Sequence, residues 1–342
     1  MPRYLYFLLS HTIFVSYWIG VYYGGFYSFS TIFYVFGILP MLDILFGNEE
    51  YIIDKSENNL IEIAAYKNII YSWSAIHVIN VLVTLYLVIN CNLSLVEIIG
   101  LGFSLGIEGG QSIAVAHELT HKHNKTDLLI SRILLFLVMY NHFEIEHKQG
   151  HHINVATEKD PATAKYNQTY YNFWKQSVIG SYKNAFEIEK QKFGYSLNNL
   201  VIYYSLMYML MICVLAFNNL QCAIFMLLQA TIGFSFLEIS NYFEHYGLSR
   251  KKENGEYESV KTHHSWDNDS CVSNWILFRL GRHADHHVFP YKEYQYLKPI
   301  KNAPQLITGY PGSALMCLIP DLWFYFMNPR VDKINELYYG KN

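Results

Sequence analysis

Fifteen of the 342 residues are histidines, and many of them stand in short clusters. The first cluster, residues 117–122, reads HELTHK and contains His117 and His121. Positions i and i+4 of a helix lie on one face, about 6 Å apart, so two imidazoles so placed can bind one metal. Neutral imidazole favours iron, zinc, copper or nickel over magnesium or calcium. The spacing therefore predicts a pair of transition-metal ligands.

Two more clusters repeat this pattern. In EHKQGHH, residues 146–152, His147 and His151 are predicted to share a helix face, and the adjacent His152, rotated by about 100°, to reach a second metal. In HADHH, residues 283–287, the spacings are i, i+3 and i+4. A single histidine, His245, stands in NYFEHYGL at residues 241–248.

These stretches supply nine candidate ligands, whereas one zinc or iron ion takes three or four ligands from the protein. Nine imidazoles therefore predict two metal ions. The predicted ligands are His117, His121, His147, His151, His152, His245, His283, His286 and His287. Isolated histidines are interpreted differently: His11 and His77 as structural residues in apolar runs, and His123 and His142 as surface or supporting groups.

Carboxylates beside the clusters are candidate partners for the ligands. Ligating imidazoles usually donate their free ring N–H to a carboxylate or carbonyl. Glu118, Asp160, Glu244 and Asp285 are predicted to fill that supporting role. A competing interpretation takes residues 117–121 as the HExxH of a membrane zinc protease, with Glu118 as general base. That interpretation leaves six or more clustered histidines without a function.

Long apolar runs must position these clusters. Hydrophobic residues make up 52% of the chain and charged residues 15%, and a helix needs about 20 residues to cross a hydrocarbon core of ~30 Å. We predict an all-α integral membrane protein of one domain, with about six spans and a cytoplasmic helical cap, residues 117–198 and 243–342, that holds the histidines. The predicted spans lie near residues 4–24, 29–46, 69–90, 95–116, 199–217 and 220–242, and the shorter run 128–140 is predicted to be an interfacial or re-entrant helix.

The charge distribution predicts the orientation and excludes some classes of protein. The turns near residues 24–28, 91–94 and 217–220 contain no Lys or Arg, so the positive-inside rule places the opposite loops and both termini in the cytoplasm. A net charge of −3 gives no sign of a nucleic-acid partner. A channel would need charged residues along a pore, and the span cores carry few: Asp43, Glu97, Glu108 and Glu238. We expect Glu108 and Glu238 near the metals or near a helix end.

The clusters, taken with their neighbouring residues, resemble a known family. The three histidine boxes are those of the membrane fatty-acid desaturases and hydroxylases. Residues 146–162, 241–248 and 264–287 are similar more specifically to the alkane 1-monooxygenases and their xylene monooxygenase relatives. Gly281 and Ala284 depart from that pattern, where the family usually has Gln and Ser, and this weakens any inference about the preferred substrate.

The resemblance implies a non-haem di-iron enzyme of the bacterial inner membrane. It would hydroxylate the terminal methyl of a medium- or long-chain alkane, using O2 and electrons from a separate rubredoxin or ferredoxin with its NAD(P)H reductase. The five dispersed cysteines include no C-x-x-C, so we expect no fused rubredoxin. A fatty-acyl desaturase or hydroxylase and a xylene-type methyl hydroxylase remain alternatives within the same fold.

Two further expectations concern the substrate and the electron donor. The hydrocarbon would enter from the bilayer along a channel between the spans. Lys122, Lys148, Arg279 and Arg282 could dock an acidic donor, or simply follow the positive-inside rule. Small residues in the fourth span, Gly102, Gly106, Gly109 and Gly110, are expected to allow close helix packing. Candidate channel walls are Phe103, Leu105, Ile107, Phe234, Phe236 and Leu237.

Overall fold

Six helical segments of the computed structural model are long and apolar enough to cross a membrane. The structure describes residues 2–53 and 60–340. We call these segments spans 1 to 6, and they comprise Arg3–Tyr23, Gly25–Phe46, Leu60–Asn90, Leu95–Thr120, Leu200–Asn218 and Leu220–His245. Spans 1 and 2 are not uniform α-helices. Span 1 opens with a 3₁₀ segment, Arg3–His11, before the α-helix Thr12–Tyr23, and span 2 runs through Gly25–Phe29 (3₁₀), Ser30–Phe33 (α), Tyr34–Ile38 (π) and Leu39–Phe46 (α).

Shorter elements lie between and after the spans. The helices before span 5 are Lys125–Leu137, Phe143–Glu146, the π-helical turn His147–His151, His152–Asn154 and Tyr170–Phe193. A two-stranded antiparallel hairpin follows span 6, with strands Lys252–Glu253 and Glu256–Tyr257. The remaining helices are Thr262–His264, Cys271–Ile276, His283–Val288, Tyr294–Tyr296, Tyr310–Cys317 and Pro320–Tyr339.

All six predicted spans are helical, but four are longer than predicted. Span 2 begins at Gly25, four residues before the predicted start. Span 3 begins at Leu60, nine residues before the predicted start, because the helix continues through a polar segment in which Lys67 pairs with Asp127 at 3.3 Å. Span 4 continues through the first histidine cluster to Thr120, and span 6 ends at His245. The first cluster and the lone histidine are therefore carried at the ends of two long helices and not in the loops that follow.

Spans 4 and 6 form the central helix pair, and small residues set their distance. A methyl group added at Gly106 would lie 2.5 Å from Ile232, and one at Gly110 would lie 2.5 Å from the Cβ of Phe236. Gly102 approaches Leu228 in the same way. The expected role of these glycines in close packing is confirmed, and this contact fixes the relative position of the first cluster and His245.

The two ends of the helix bundle are clearly distinguished. At one end, the turn after span 1 meets the turn before span 4, where the Gly25 amide donates to Glu97 at 3.0 Å. At the other, Arg3 donates to the carbonyl of Ile52, and spans 4 and 6 run into the histidine boxes. We call these the turn end and the cap end. The run predicted as an interfacial helix forms the helix Lys125–Leu137, which packs on span 4 next to the cap end.

A buried ion pair connects the cap to the chain after span 2. The Arg279 guanidinium lies 2.7 Å from Glu49, and Arg282 contacts the same carboxylate. Both arginine side chains are buried. The expectation that Arg279 and Arg282 help to dock an electron donor is therefore wrong, because their charges are used within the fold.

Candidate metal centre

The nine predicted ligands converge at the cap end in two groups. Within each group, one ring nitrogen from every member lies within 4.8 Å of the others. The first group has five members, His117, His121, His147, His152 and His286. The second group has four, His151, His245, His283 and His287.

The spacing of the ring nitrogens fits metal coordination better than hydrogen bonding. In the first group, the Nε2 atom of His286 lies 2.9 Å from that of His117 and 3.1 Å from that of His152. A neutral Nε2 atom either carries one proton or offers one lone pair, so it cannot make full hydrogen bonds to two such neighbours. In the second group, Nε2 of His151 is buried and has no hydrogen-bond partner among the described residues. Lone pairs that converge in this way could hold a cation between them.

The same distances are compatible with nitrogens bound to a common metal ion. With metal–nitrogen bonds of about 2.05 Å, two ligand nitrogens are about 2.9 Å apart at a right angle and about 3.3 Å apart at a tetrahedral angle. The Nε2 atom of His283 lies 3.1 Å from that of His245 and 2.9 Å from that of His287. Spacings of about this size are those of ring nitrogens that share one metal ion.

A π-helical turn decides how the second box is divided. The sequence predicted that His147 and His151 would bind together, as positions i and i+4 of an α-helix. That pairing is wrong, because residues His147–His151 form a π-helix with a longer turn. His147 therefore lies with His152, five residues on, at 3.0 Å between their Nε2 atoms, and His151 turns to the second group.

The first and third boxes follow ordinary helical geometry. His117 and His121, at i and i+4 on span 4, belong to the first group as predicted. The short helix His283–Val288 places His283 and His287 together in the second group, whereas His286 joins the first. The second and third boxes each contribute to both groups, and this joins the groups into one centre.

Six of the buried rings outside the spans favour the neutral form that binds metals. Burial lowers the pKa of His121 to about 2. It also lowers the pKa of His147, His152, His283, His286 and His287 well below the ordinary value. Neutral imidazole is the ligating form, so no proton competes for these nitrogens at neutral pH.

A long apolar cavity reaches both groups. It is bounded by spans 1, 2, 4 and 6 and by the helix Tyr310–Cys317, and it contains about 1010 Å³ of empty space, including its opening. His117 and His147 of the first group and His283 of the second lie in its wall. Three of the predicted channel walls, Ile107, Phe236 and Leu237, line this cavity.

The other three predicted wall residues point elsewhere. Phe234 packs on the Tyr140 ring at 5.0 Å, Phe103 contacts Phe29, and Leu105 belongs to a separate apolar cluster. Hydropathy alone could not separate these positions, because all six lie in apolar helices.

Comparison with known proteins shows the family of this chain. The family model described as "Fatty acid desaturase" matches residues 94–311. The chain is 36% identical to alkane 1-monooxygenase of Pseudomonas putida over 309 residues, which are 86% of this chain and 76% of the relative. It is 36% identical to the enzyme of that name from Acinetobacter baylyi, over 86% of this chain and 74% of the relative.

This chain belongs to the alkane 1-monooxygenase family. It is thus an alkane 1-monooxygenase-like oxidoreductase within the larger group of membrane desaturases and hydroxylases. A more distant relative is the hydroxylase component of xylene/toluene monooxygenase from Pseudomonas putida, 27% identical over 64% of this chain and 60% of the relative.

Among the predicted supporting carboxylates of this family member, Asp160 contacts a ligand ring as expected. Its Oδ2 atom lies 2.9 Å from Nδ1 of His151, and Oδ1 accepts from the Ala162 amide at 3.0 Å. The Thr163 hydroxyl donates to Oδ2 of Asp160 at 2.6 Å. Although burial opposes a charge on the ring, Asp160 raises the pKa of His151 to about 9. The contact directs Nε2 of His151 toward the other rings of its group.

Glu118 and Asp285 lie differently from the prediction. Glu118 pairs with Lys122 at 2.5 Å, and Asp285 pairs with Lys292 at 2.6 Å and accepts from the Lys298 amide. Both carboxylates stabilise the cap next to the candidate ligands. Each was predicted to accept the ring N–H of a histidine, but each pairs with a lysine instead. Glu118 is thus not placed as the free general base that a zinc protease would require.

Glu244 has an arrangement that the sequence did not predict. Its Oε2 atom lies 3.5 Å from Nε2 of His283, the nitrogen that faces the other rings, and its side chain lines the apolar cavity. Tyr310 donates its hydroxyl to Oε1 at 2.6 Å. Glu244 thus presents a carboxylate to the space between the cavity and the second group. Tyr310 has no signal in the sequence, because it lies 66 residues away along the chain.

The two carboxylates within the spans have separate environments. Glu108 lies 2.6 Å from Nδ1 of His77 and accepts from Asn80, so it joins spans 3 and 4 away from the histidine groups. Glu238 accepts from the Tyr140 hydroxyl at 2.5 Å. It lines a small cavity together with His147 and His151. Only the second carboxylate is therefore close to the candidate metal centre.

The remaining histidines are outside the two groups. His11 bonds to Ser72, and the exposed His123 stacks on Tyr291. His142 is buried beside Tyr140, and burial lowers its pKa to about 3. His77, interpreted from sequence as structural, has Glu108 as its partner.

A third cluster of possible ligands, Glu258, His263 and His264, is explained by hydrogen bonds. Nδ1 of His264 accepts from the Lys261 amide at 3.0 Å, so Nε2 carries the proton and faces Tyr339 and Glu258. Lys261 also neutralises Glu258 at 2.5 Å. His264 therefore has no free lone pair for a metal ion.

Proposed function

We propose that this protein is a non-haem di-iron monooxygenase that converts the terminal methyl of medium- or long-chain alkanes to a 1-alkanol. The balanced reaction takes one alkane, one O2, two electrons and two protons to one alkanol and one water. A separate rubredoxin or ferredoxin, reduced by its NAD(P)H reductase, would supply the electrons. Relatives that carry the name alkane 1-monooxygenase, at 36% identity, support this assignment.

The observation that carries the proposal is the apolar cavity that ends on both histidine groups. Its wall includes rings from each group, His117 and His147 on one side and His283 on the other. Two iron ions held there would supply the activation of O2 that an unactivated C–H bond requires. The two groups, of five and four nitrogens, fit one ion each.

The residues of this chain would bind and orient the substrate. The cavity wall is mostly apolar, so it excludes water and accepts an alkyl chain. At its inner end, the carboxylate of Glu244, held by Tyr310, is placed to accept a hydrogen bond from the hydroxyl of the product. An alkane has no polar group, so the shape of the cavity must point its methyl toward the rings.

The proposed location is the bacterial inner membrane, with both termini and the metal centre in the cytoplasm. The turns that lack Lys and Arg lie at the turn end, where the spans meet through Gly25 and Glu97. The basic residues fall in or beside the segments at the cap end. This one-sided distribution follows the positive-inside rule.

The electron donor is proposed to dock over the first histidine group. Lys122 and Lys148 flank His121. Lys122 pairs with Glu118 and Lys148 with Glu144, but their side chains remain 22% and 29% exposed, whereas those of Arg279 and Arg282 are buried. Tyr291, which is 69% exposed, lies 6.3 Å from the His121 ring. Partly exposed basic groups around an aromatic surface suit a weakly bound acidic partner.

Product analysis tests the proposal directly. Iron-loaded protein in lipid vesicles, with rubredoxin, its reductase, NADH and ¹⁸O2, should convert octane or hexadecane to the 1-alkanol with one ¹⁸O atom. A parallel panel contains xylene and an acyl substrate. A desaturated acyl product without any alkanol would contradict the proposal and favour the desaturase alternative, and a benzylic alcohol alone would favour the xylene-type enzyme.

A further inference from the structure

Span 2 contains a π-helical turn that forms one wall of the cavity. In Tyr34–Ile38 the regular α-helical bonding is interrupted, and none of the five residues is buried. Phe36 of this turn lines the cavity, whereas Phe33 and Ile38, 70% and 50% exposed, lie on the outer surface. A single helix layer therefore separates the cavity from the surroundings of span 2. Such π turns are frequent at functional sites.

A pair of phenylalanine rings connects span 2 and span 6. The ring centroids of Phe36 and Phe236 are 5.7 Å apart with an interplanar angle of 26°. Both side chains line the cavity, and both are partly exposed. The stacked rings thus lie between the cavity and the lipid-facing side of the bundle.

The two rings of this pair belong to helices that differ in how tightly they are packed. On span 6, the Cβ of Phe236 is so close to Gly110 that an added methyl would lie 2.5 Å from it. Span 2 is the more weakly packed partner, with only 17% of its apolar window buried compared with 50% for span 6. Displacing Phe36 would therefore break fewer packing contacts than displacing Phe236.

We propose that Phe36 and Phe236 form the entrance by which hydrocarbon passes from the bilayer into the cavity, with Phe36 as the moving half. This inference rests on the proposed hydrocarbon substrate. Phe236 precedes His245 by nine residues on one helix, a rise of about 13 Å. An alkyl chain that enters between the rings would thus lie along span 6 and present its end to the histidine groups.

Retention of a photoreactive alkane tests the entrance without requiring turnover. Iron-loaded protein in vesicles is equilibrated with a dodecane that carries a diazirine and is then diluted into an excess of empty vesicles. Light flashes at increasing delays label the alkane's neighbours, and mass spectrometry follows the buried cavity residues Ile113 and Ala314. Entry and exit use the same passage, so the decay of labelling reports on it.

The variants are Phe36→Ala and Phe236→Ala, with Phe36→Leu as a milder change should Ala impair folding. The matched control is Phe33→Ala, an exposed ring on the same span that does not line the cavity. We expect labelling before dilution to stay unchanged in the control, and the decay in each variant is scaled to its own labelling before dilution. Its decay should become several-fold faster when Phe36 or Phe236 is shortened, and stay at the wild-type rate in the control.

Three results would overturn the entrance. The first is labelling that decays at the same rate in all proteins. The second is a faster decay that is fully explained by a lower alkane occupancy before dilution. The third is a wild-type protein in which the cavity residues are not labelled at all. Loss of alkanol formation alone bears on a different claim. If the wild type shows the predicted retention but oxidises no alkane, the proposed function is wrong and the entrance stands.

Discussion

The Nε2 atoms of His147 and His152 lie 3.0 Å apart because the chain between them makes one π-helical turn. An α-helix would instead have paired His147 with His151. The longer turn releases His151 to the second group, where Asp160 orients its ring. One local irregularity of the backbone thus divides adjacent histidines between the two groups of rings.

Adjacent histidines of the third box should support different ions. His286 belongs to the first group and His287 to the second, so we expect His286→Ala and His287→Ala each to lose about one of two bound irons and all hydroxylase activity. Iron per chain gives the loss, and Mössbauer spectra should show a different remaining ion in each variant. His123→Ala, at an exposed ring, is the control and should retain both ions. Identical residual spectra in the two variants would contradict the division into groups.

Asp160→Asn should weaken iron binding without removing a ligand. The carboxylate contacts Nδ1 of His151 at 2.9 Å, and loss of such a partner typically costs about 10–100-fold in metal affinity or activity. Titration with a chelator would measure the change. Asp332→Asn, at a carboxylate that contacts Tyr166 far from the rings, should leave chelator resistance unaltered. Equal resistance of the two variants would show that Asp160 does not support the site.

His77→Ala should destabilise the protein while leaving its metal content unchanged. The substitution leaves Glu108 buried without its 2.6 Å partner, and loss of a hydrogen-bond partner by a buried polar group typically costs about 1–3 kcal/mol. Thermal unfolding in detergent would show a lower Tm, and the iron count of folded protein would equal that of the wild type. The double variant His77→Ala/Glu108→Ala should be less destabilised than the sum of the single changes. Strict additivity would argue against the pair.

Reversing the charges over the first group should slow reduction by an acidic donor. Lys122→Glu and Lys148→Glu change residues that flank His121. The rate with rubredoxin should fall, and the difference from the wild type should shrink as salt screens the interaction. Lys301→Glu, an exposed basic position in the loop after Leu297, serves as the control. An undiminished rate in both variants, with iron content intact, would remove this docking surface.

The sequence predicted the parts of the fold that depend on hydropathy and ligand chemistry. Six apolar runs gave six helices, and the nine histidines of four stretches meet in two groups. Glycine spacing in span 4 correctly indicated close packing with span 6. These features are encoded locally, or by a residue type with few alternative uses.

Features that depend on distant contacts were not predictable in the same way. The π turn at residues 147–151 has no marker in the spacing, and it changed which histidines lie together. From the sequence, Arg279 and Arg282 were interpreted as surface charges. In the structure their partner is Glu49, which lies more than 200 residues earlier in the chain. The role of Glu244 depends likewise on Tyr310.

The metal content of the purified wild-type protein tests the central claim most directly. Elemental analysis combined with Mössbauer spectroscopy should find about two iron ions per chain in nitrogen-rich, more than four-coordinate environments, one for each histidine group. A protein that holds a single zinc ion and no iron, yet is folded and membrane-inserted, would contradict the account.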